Sequence, residues 1–141
     1  MNLKRSEIAD LLAAYLLLFL LLTALCHLFI FIINWEDWFF GTKLDGWPAG
    51  LFLFAKAAAA AALAILLIRD AKRRAAWGLA SVFFFAFVYI LPVFSGQRNM
   101  RSEPGWTIFW AECVLFLVIP GALLALYGIA GRNMQEGEAG S

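Results

Sequence analysis

Residues 54–65 read FAKAAAAAALAI, and the lysine inside that run sets the terms for the rest of the chain. Lys56 has no polar side chain for eight positions on either side. The 141 residues are 64% hydrophobic, with a mean hydropathy of +0.82. A water-soluble domain of this length cannot hide so much apolar surface, so the chain reads as an integral membrane protein. A lone ammonium in hydrocarbon costs at least ~2.5–3.5 kcal/mol on insertion scales, and such groups usually face inward toward a partner. The sequence therefore has to supply an anion at the depth of Lys56, or a route by which the side chain snorkels to the headgroups.

Working outward from Lys56, four runs have the ~20 apolar residues that a bilayer crossing takes. They lie at about 11–34, 48–68, 76–95 and 105–130. The connections are short: an aromatic-rich loop of 13 residues, a basic loop of 7 and a polar loop of 9. Short loops force antiparallel neighbours. The expected fold is an all-α integral membrane protein, an antiparallel four-transmembrane-helix bundle with a short interfacial aromatic segment between helices 1 and 2. The whole chain, 1–141, reads as one domain, with residues 131–141 as a polar cytoplasmic tail. The first run is too long for a signal-peptide core and no small-residue cleavage site follows it. Leu25, directly before Cys26, argues against a lipoprotein signal.

Charge asymmetry predicts orientation. Lys4, Arg5, Arg69, Lys72, Arg73, Arg74 and Arg132 fall on one side; Lys43, Arg98 and Arg101 fall on the other. That pattern places both termini in the cytoplasm, in what reads as a bacterial cytoplasmic membrane. Trp35, Trp38, Trp47 and Trp106 form an interfacial belt on the opposite, outer side. Ser102, Glu103 and Pro104 offer a cap, a first-turn acid and an early proline for the fourth helix. In 34–47, Trp35, Trp38 and Phe39 are spaced for a short helix lying flat in the interface, with Glu36 and Asp37 exposed. The other readings are a plain belt loop, or a lid over a cavity.

The spans hold few ionisable groups: His27, Lys56 and Glu112, with Tyr89 as a weaker member. Counted at 1.5 Å per residue, each sits ~9–12 Å below the outer boundary, so one polar residue from each helix falls in a single layer. Opposite sign and matching depth predict an ion pair between Lys56 and Glu112, with His27 within hydrogen-bond reach. Thr23, His27 and Asn34 share one helical face, which points inward. The pair reads either as a structural registry device or as a proton-active site.

Other chemistry finds little support. Cys26–His27 and Glu112–Cys113 are soft-metal ligand types at equal depth. Adjacent helical residues point ~100° apart, so a four-ligand metal site is not expected. The two cysteines are expected to be free core residues, although one bridge between them is open. One histidine does not suit bis-histidine haem. No catalytic residue and no cofactor is assigned, and a net charge of +1 gives no nucleic-acid footprint. In size and span number the chain resembles small permease subunits of tripartite carriers and small anchor subunits of respiratory complexes. That is an architectural resemblance that assigns no residue. It implies an accessory or anchor subunit of a transport or respiratory complex, with the lipid bilayer and other membrane subunits, or a second copy, as partners. The alternatives are a small proton-coupled transporter using the Lys56–Glu112–His27 layer, and a membrane enzyme or quinone-site subunit.

Overall fold

The computed structural model describes residues 4–39, 42–94 and 103–139. Four helices are long and apolar enough to cross a membrane: Arg5–Ile33, Trp47–Arg69, Ala71–Phe94 and Gly105–Gly131. The first is α1 (Arg5–Ile33) and the second α2 (Trp47–Arg69). The third contains α3 (Arg74–Phe85) and α4 (Leu91–Phe94); the fourth contains α5 (Glu103–Cys113) and α6 (Ile119–Ala139). Pro104 falls in the first turn of α5, where its missing N–H costs nothing. Helix α6 continues to Ala139, through most of the segment read as a tail. Arg98, Arg101 and the expected cap Ser102 lie outside the described residues.

The connection between the first two spans is neither a flat helix nor an irregular loop. It is a two-stranded hairpin, β1 (Glu36–Phe39) and β2 (Thr42–Asp45), with Asp37 opposite Leu44 and Trp38 opposite Lys43. The residue period explains the difference. A helix would put Glu36 and Asp37 on one exposed edge, whereas a strand sends successive side chains to opposite faces. Lys43 bridges Glu36 at 3.3 Å and Asp45 at 3.2 Å, tying the strands on the face away from Asp37. The Gly46 N–H closes the base on the Trp35 carbonyl at 2.9 Å. Gly46 has φ +62 and ψ −137, a conformation open essentially to glycine, and it turns the chain into α2.

The seam between α1 and α2 follows a 3-4 spacing on both helices. On α1 the buried positions include Leu16, Leu20, Thr23 and His27; on α2 they include Gly50, Leu53, Ala57, Ala60, Ala64 and Leu67. That period keeps one stripe against its neighbour, as in left-handed helix packing. The alanines of α2 bring the two backbones close. Helix α1 also packs on α3 and α6, so it is the spine of the fold. Gly78 of α3 makes room for Leu12: a Cβ there would stand 2.9 Å from the Leu12 Cδ2.

The third and fourth spans share a local device. Ala86–Ile90 and Val114–Val118 are π turns, and each ends two residues before a proline, Pro92 and Pro120. A proline in a helix lacks an N–H and its ring crowds the carbonyl four residues back. Widening the turn moves that carbonyl aside: the Leu91 N–H donates to Ala86, and the Ile119 N–H to Val114, each five residues back. The distortion that Pro120 imposes on its helix therefore takes the form of a π turn. The buried stripe records the extra residue, running Gly78, Ser81, Phe85 and then jumping to Ile90 and Val93. Tyr89 and Phe116, one from each π turn, stack at 4.7 Å with their planes 14° apart.

Continuing the five-residue pattern past Ile119, the Leu115 carbonyl would need an N–H from residue 120, which is proline. Tyr15 of α1 donates its hydroxyl to that carbonyl at 2.9 Å. Tyr15→Phe should then cost about 0.5–2 kcal/mol. In a Pro120→Ala background, where a backbone N–H is restored, the cost should shrink toward zero. Thermal unfolding of the four proteins in a neutral detergent measures this coupling.

Candidate functional site

Lys56 does meet an anion, but it is Asp37 of the hairpin. The Lys56 Nζ stands 2.5 Å from the Asp37 Oδ2, with only 11% and 12% of the two side chains exposed. This corrects the expectation of a Lys56–Glu112 pair. Asp37 was set aside as a loop residue facing water; strand alternation turns it, with Phe39, toward α2. Residues two apart on a strand lie ~6.7 Å apart, and residues one helical turn apart ~6 Å. Asp37 and Phe39 thus match Lys56 and Phe52: the acid pairs with the amine, and Phe39 meets Phe52 edge-on at 5.3 Å. The Trp38 N–H donates to the Asp37 Oδ1 at 2.8 Å, and the ammonium lies 4.3 Å from the centre of the Phe52 ring.

Beside the pair is a half-open pocket of about 270 Å³, mouth included, lined by Trp38, Phe39, Phe52, Lys56, Phe87, Val88 and Pro92. Hairpin, α2 and the widened turn of the third span each give one wall. The 34–47 segment thus contributes Trp38 and Phe39 to the pocket lining.

His27 and Tyr89 form a second group. The His27 Nδ1–H donates to the Thr23 carbonyl one turn back at 2.9 Å, which leaves Nε2 as an acceptor. The Thr23 hydroxyl and the Tyr89 hydroxyl are 2.8 Å apart, joining α1 to the third span. The His27 and Tyr89 rings meet edge-on at 6.5 Å. Lys56 and Asp37 are both within electrostatic reach of His27. Thr23 and His27 face inward as their spacing predicts, while Asn34 is exposed beyond the end of α1. Glu112 is half-buried on α5 beside Cys113 and does not supply the counter-charge of Lys56. The expected four-residue layer is thus replaced by a Lys56–Asp37 pair next to a Thr23–His27–Tyr89 cluster.

Cys26 and Cys113 are free thiols, Cys26 exposed and Cys113 packed against Ile90, Val93 and Phe109. Among the described residues no three His, Cys, Asp or Glu side chains converge on a metal position. Trp35 stacks on Phe31 and lies over Gly50; Trp47 and Trp106 are exposed, as a belt position implies. No family model matches the chain, and no curated protein or solved structure matches it either.

Two predictions follow from this geometry. Removing one partner of a buried pair leaves an uncompensated charge, so Lys56→Met or Asp37→Asn should each cost about 3 kcal/mol. The double variant should cost clearly less than the sum, and a double-mutant cycle from unfolding curves measures the difference. Lys43 is held above the usual lysine value of 10.5 by Asp45 first and Glu36 second. A raised lysine stabilises fully below its unfolded value, and that contribution is lost as pH rises through the folded value. The strand pair should therefore keep its protease resistance through neutral pH and loosen in strong alkali. Lys43→Met should abolish the alkaline transition.

Proposed function

We propose that the chain is a small non-enzymatic subunit of a larger membrane complex, an accessory or anchor element of a transport or respiratory assembly. In this reading the four spans form an antiparallel bundle in a bacterial cytoplasmic membrane, with both termini cytoplasmic and the hairpin on the outer face. The observation that carries it is the outward face of α2. Ala55, Ala58, Ala59 and Ala62 recur at helical spacing and are all exposed. A span facing lipid alone has no use for a stripe without side-chain bulk, whereas small residues are what lets a second membrane helix approach closely.

Two further features support it. Few positions of the fourth span are fully buried within the chain, which leaves surface on that helix for lipid or a neighbour. Thr23, Tyr89, Lys56 and Tyr15 are engaged in joining elements of this chain to one another, and His27 is bonded back to its own helix. That arrangement favours a structural role over the proton relay of a transporter, since the Lys56–Glu112–His27 layer does not assemble.

The test is affinity purification of the tagged chain from gently extracted membranes, followed by native mass spectrometry. A stoichiometric heterologous membrane subunit is expected. Ala58→Leu with Ala62→Leu should release it while leaving the chain's own thermal midpoint unchanged. A clean monomer or homo-oligomer would overturn the reading.

A further inference from the structure

We propose that the pocket under the hairpin binds one anionic phospholipid, its phosphate on Lys56 and the start of an acyl chain along Phe87, Val88 and Pro92. The proposal does not depend on the subunit reading, because it concerns a site built within this chain. Three observations carry it. An ammonium has three N–H donors. Among the described residues the Lys56 Nζ makes one hydrogen bond, to Asp37, and turns a second side to the Phe52 ring. One donor direction remains for an oxygen from outside.

The other lining side chains are aromatic or aliphatic, and Trp38, Phe39 and Phe87 keep 41%, 45% and 38% of their surface exposed. The pocket is thus open on the side where these rings are exposed. The space beside Lys56, about 270 Å³ with its open mouth included, is a shallow recess that does not enclose a ligand. It suits a ligand that inserts an anionic group and a few methylenes and leaves the rest in the bilayer.

Asp37 already holds this ammonium as a tethered carboxylate. The phosphate competes with it for the same ammonium, so lipid binding and hairpin docking draw on one charge. The variants then have opposite signs. Neutralising Asp37 should strengthen binding of the anion, and neutralising Lys56 should abolish it. A pair that is only structural predicts loss of stability in both and no lipid preference in either.

The experiment uses the full-length chain in neutral detergent with phosphatidylglycerol, phosphatidylcholine of the same acyl chains, or oleate. Lipid retention is read by native mass spectrometry and stability by thermal midpoint. The wild type should retain phosphatidylglycerol at least five-fold over phosphatidylcholine. Lys56→Arg should keep this preference and Lys56→Met should lose it. Asp37→Asn should raise retention, and phosphatidylglycerol alone should recover its lowered midpoint. Should Lys56→Met fail to fold, Val88→Trp fills the pocket without touching the pair and should lose the preference too. Equal retention of the two phospholipids by the wild type, or an undiminished preference in Val88→Trp or Lys56→Met, would overturn the proposal. Retention of oleate in place of phosphatidylglycerol would overturn the phospholipid assignment.

Discussion

Hydrocarbon offers no water to a polar group, so every donor and acceptor within a span has to be satisfied by the protein itself. Much of the architecture follows from that constraint. Where Pro120 removes an N–H, Tyr15 reaches across from α1 to the Leu115 carbonyl. Where Thr23 places a hydroxyl in the spine helix, Tyr89 meets it from the third span. His27 turns back to the carbonyl one turn before it. Lys56 needs a full opposite charge, and a hairpin folds down to bring Asp37. Each of these contacts joins or orders elements that apolar packing alone would leave free to slide, because lipid tails compete with leucine on equal terms.

The hairpin shows most clearly how local and long-range preferences combine. Cross-strand charges around Lys43 favour the strand pair, and the lone glycine conformation at Gly46 sets its exit. Those features do not say where the hairpin lies. The match between strand and helix repeats does, aligning Asp37 and Phe39 with Lys56 and Phe52. The same match creates a pocket with one cation and aromatic walls, so the structural solution for Lys56 also forms the chain's most distinctive chemical surface.

Much of this was legible in the sequence. Hydrophobic run length located the four long helices to within a few residues at most ends, since bilayer thickness leaves little latitude. Helical spacing identified the inward face carrying Thr23 and His27. Depth matching identified Lys56, His27 and Tyr89 as neighbours in height, but height leaves the angle around each helix open. That is why a residue count that put Glu112 in the same layer could not show that Asp37 is the partner. Asp37 was hidden by a period error: over four residues, a strand with Trp and Phe and an interfacial helix with the same residues are hard to separate. The π turn before Pro92 had a readable signal, a proline inside an apolar span, close to its end. Pro120 carries the same signal in the fourth span, but neither proline announces a π turn, because an i−5 ladder has no signature in composition.

The paired π turns have a consequence for how the spans are built. One extra residue in a turn shifts the phase of everything beyond it by about 100°. The third span therefore shows one face to the α1 core through Phe85 and a different face beyond it, where Ile90 and Val93 gather with Phe109. The molecule is in effect two storeys, each with its own small core, stacked about the Tyr89–Phe116 ring pair as a floor. Residues in the storey next to the hairpin are thus freed from the packing rules of the one below. A sequence can remodel the pocket around Lys56 and still keep the seam between α1 and α2 intact.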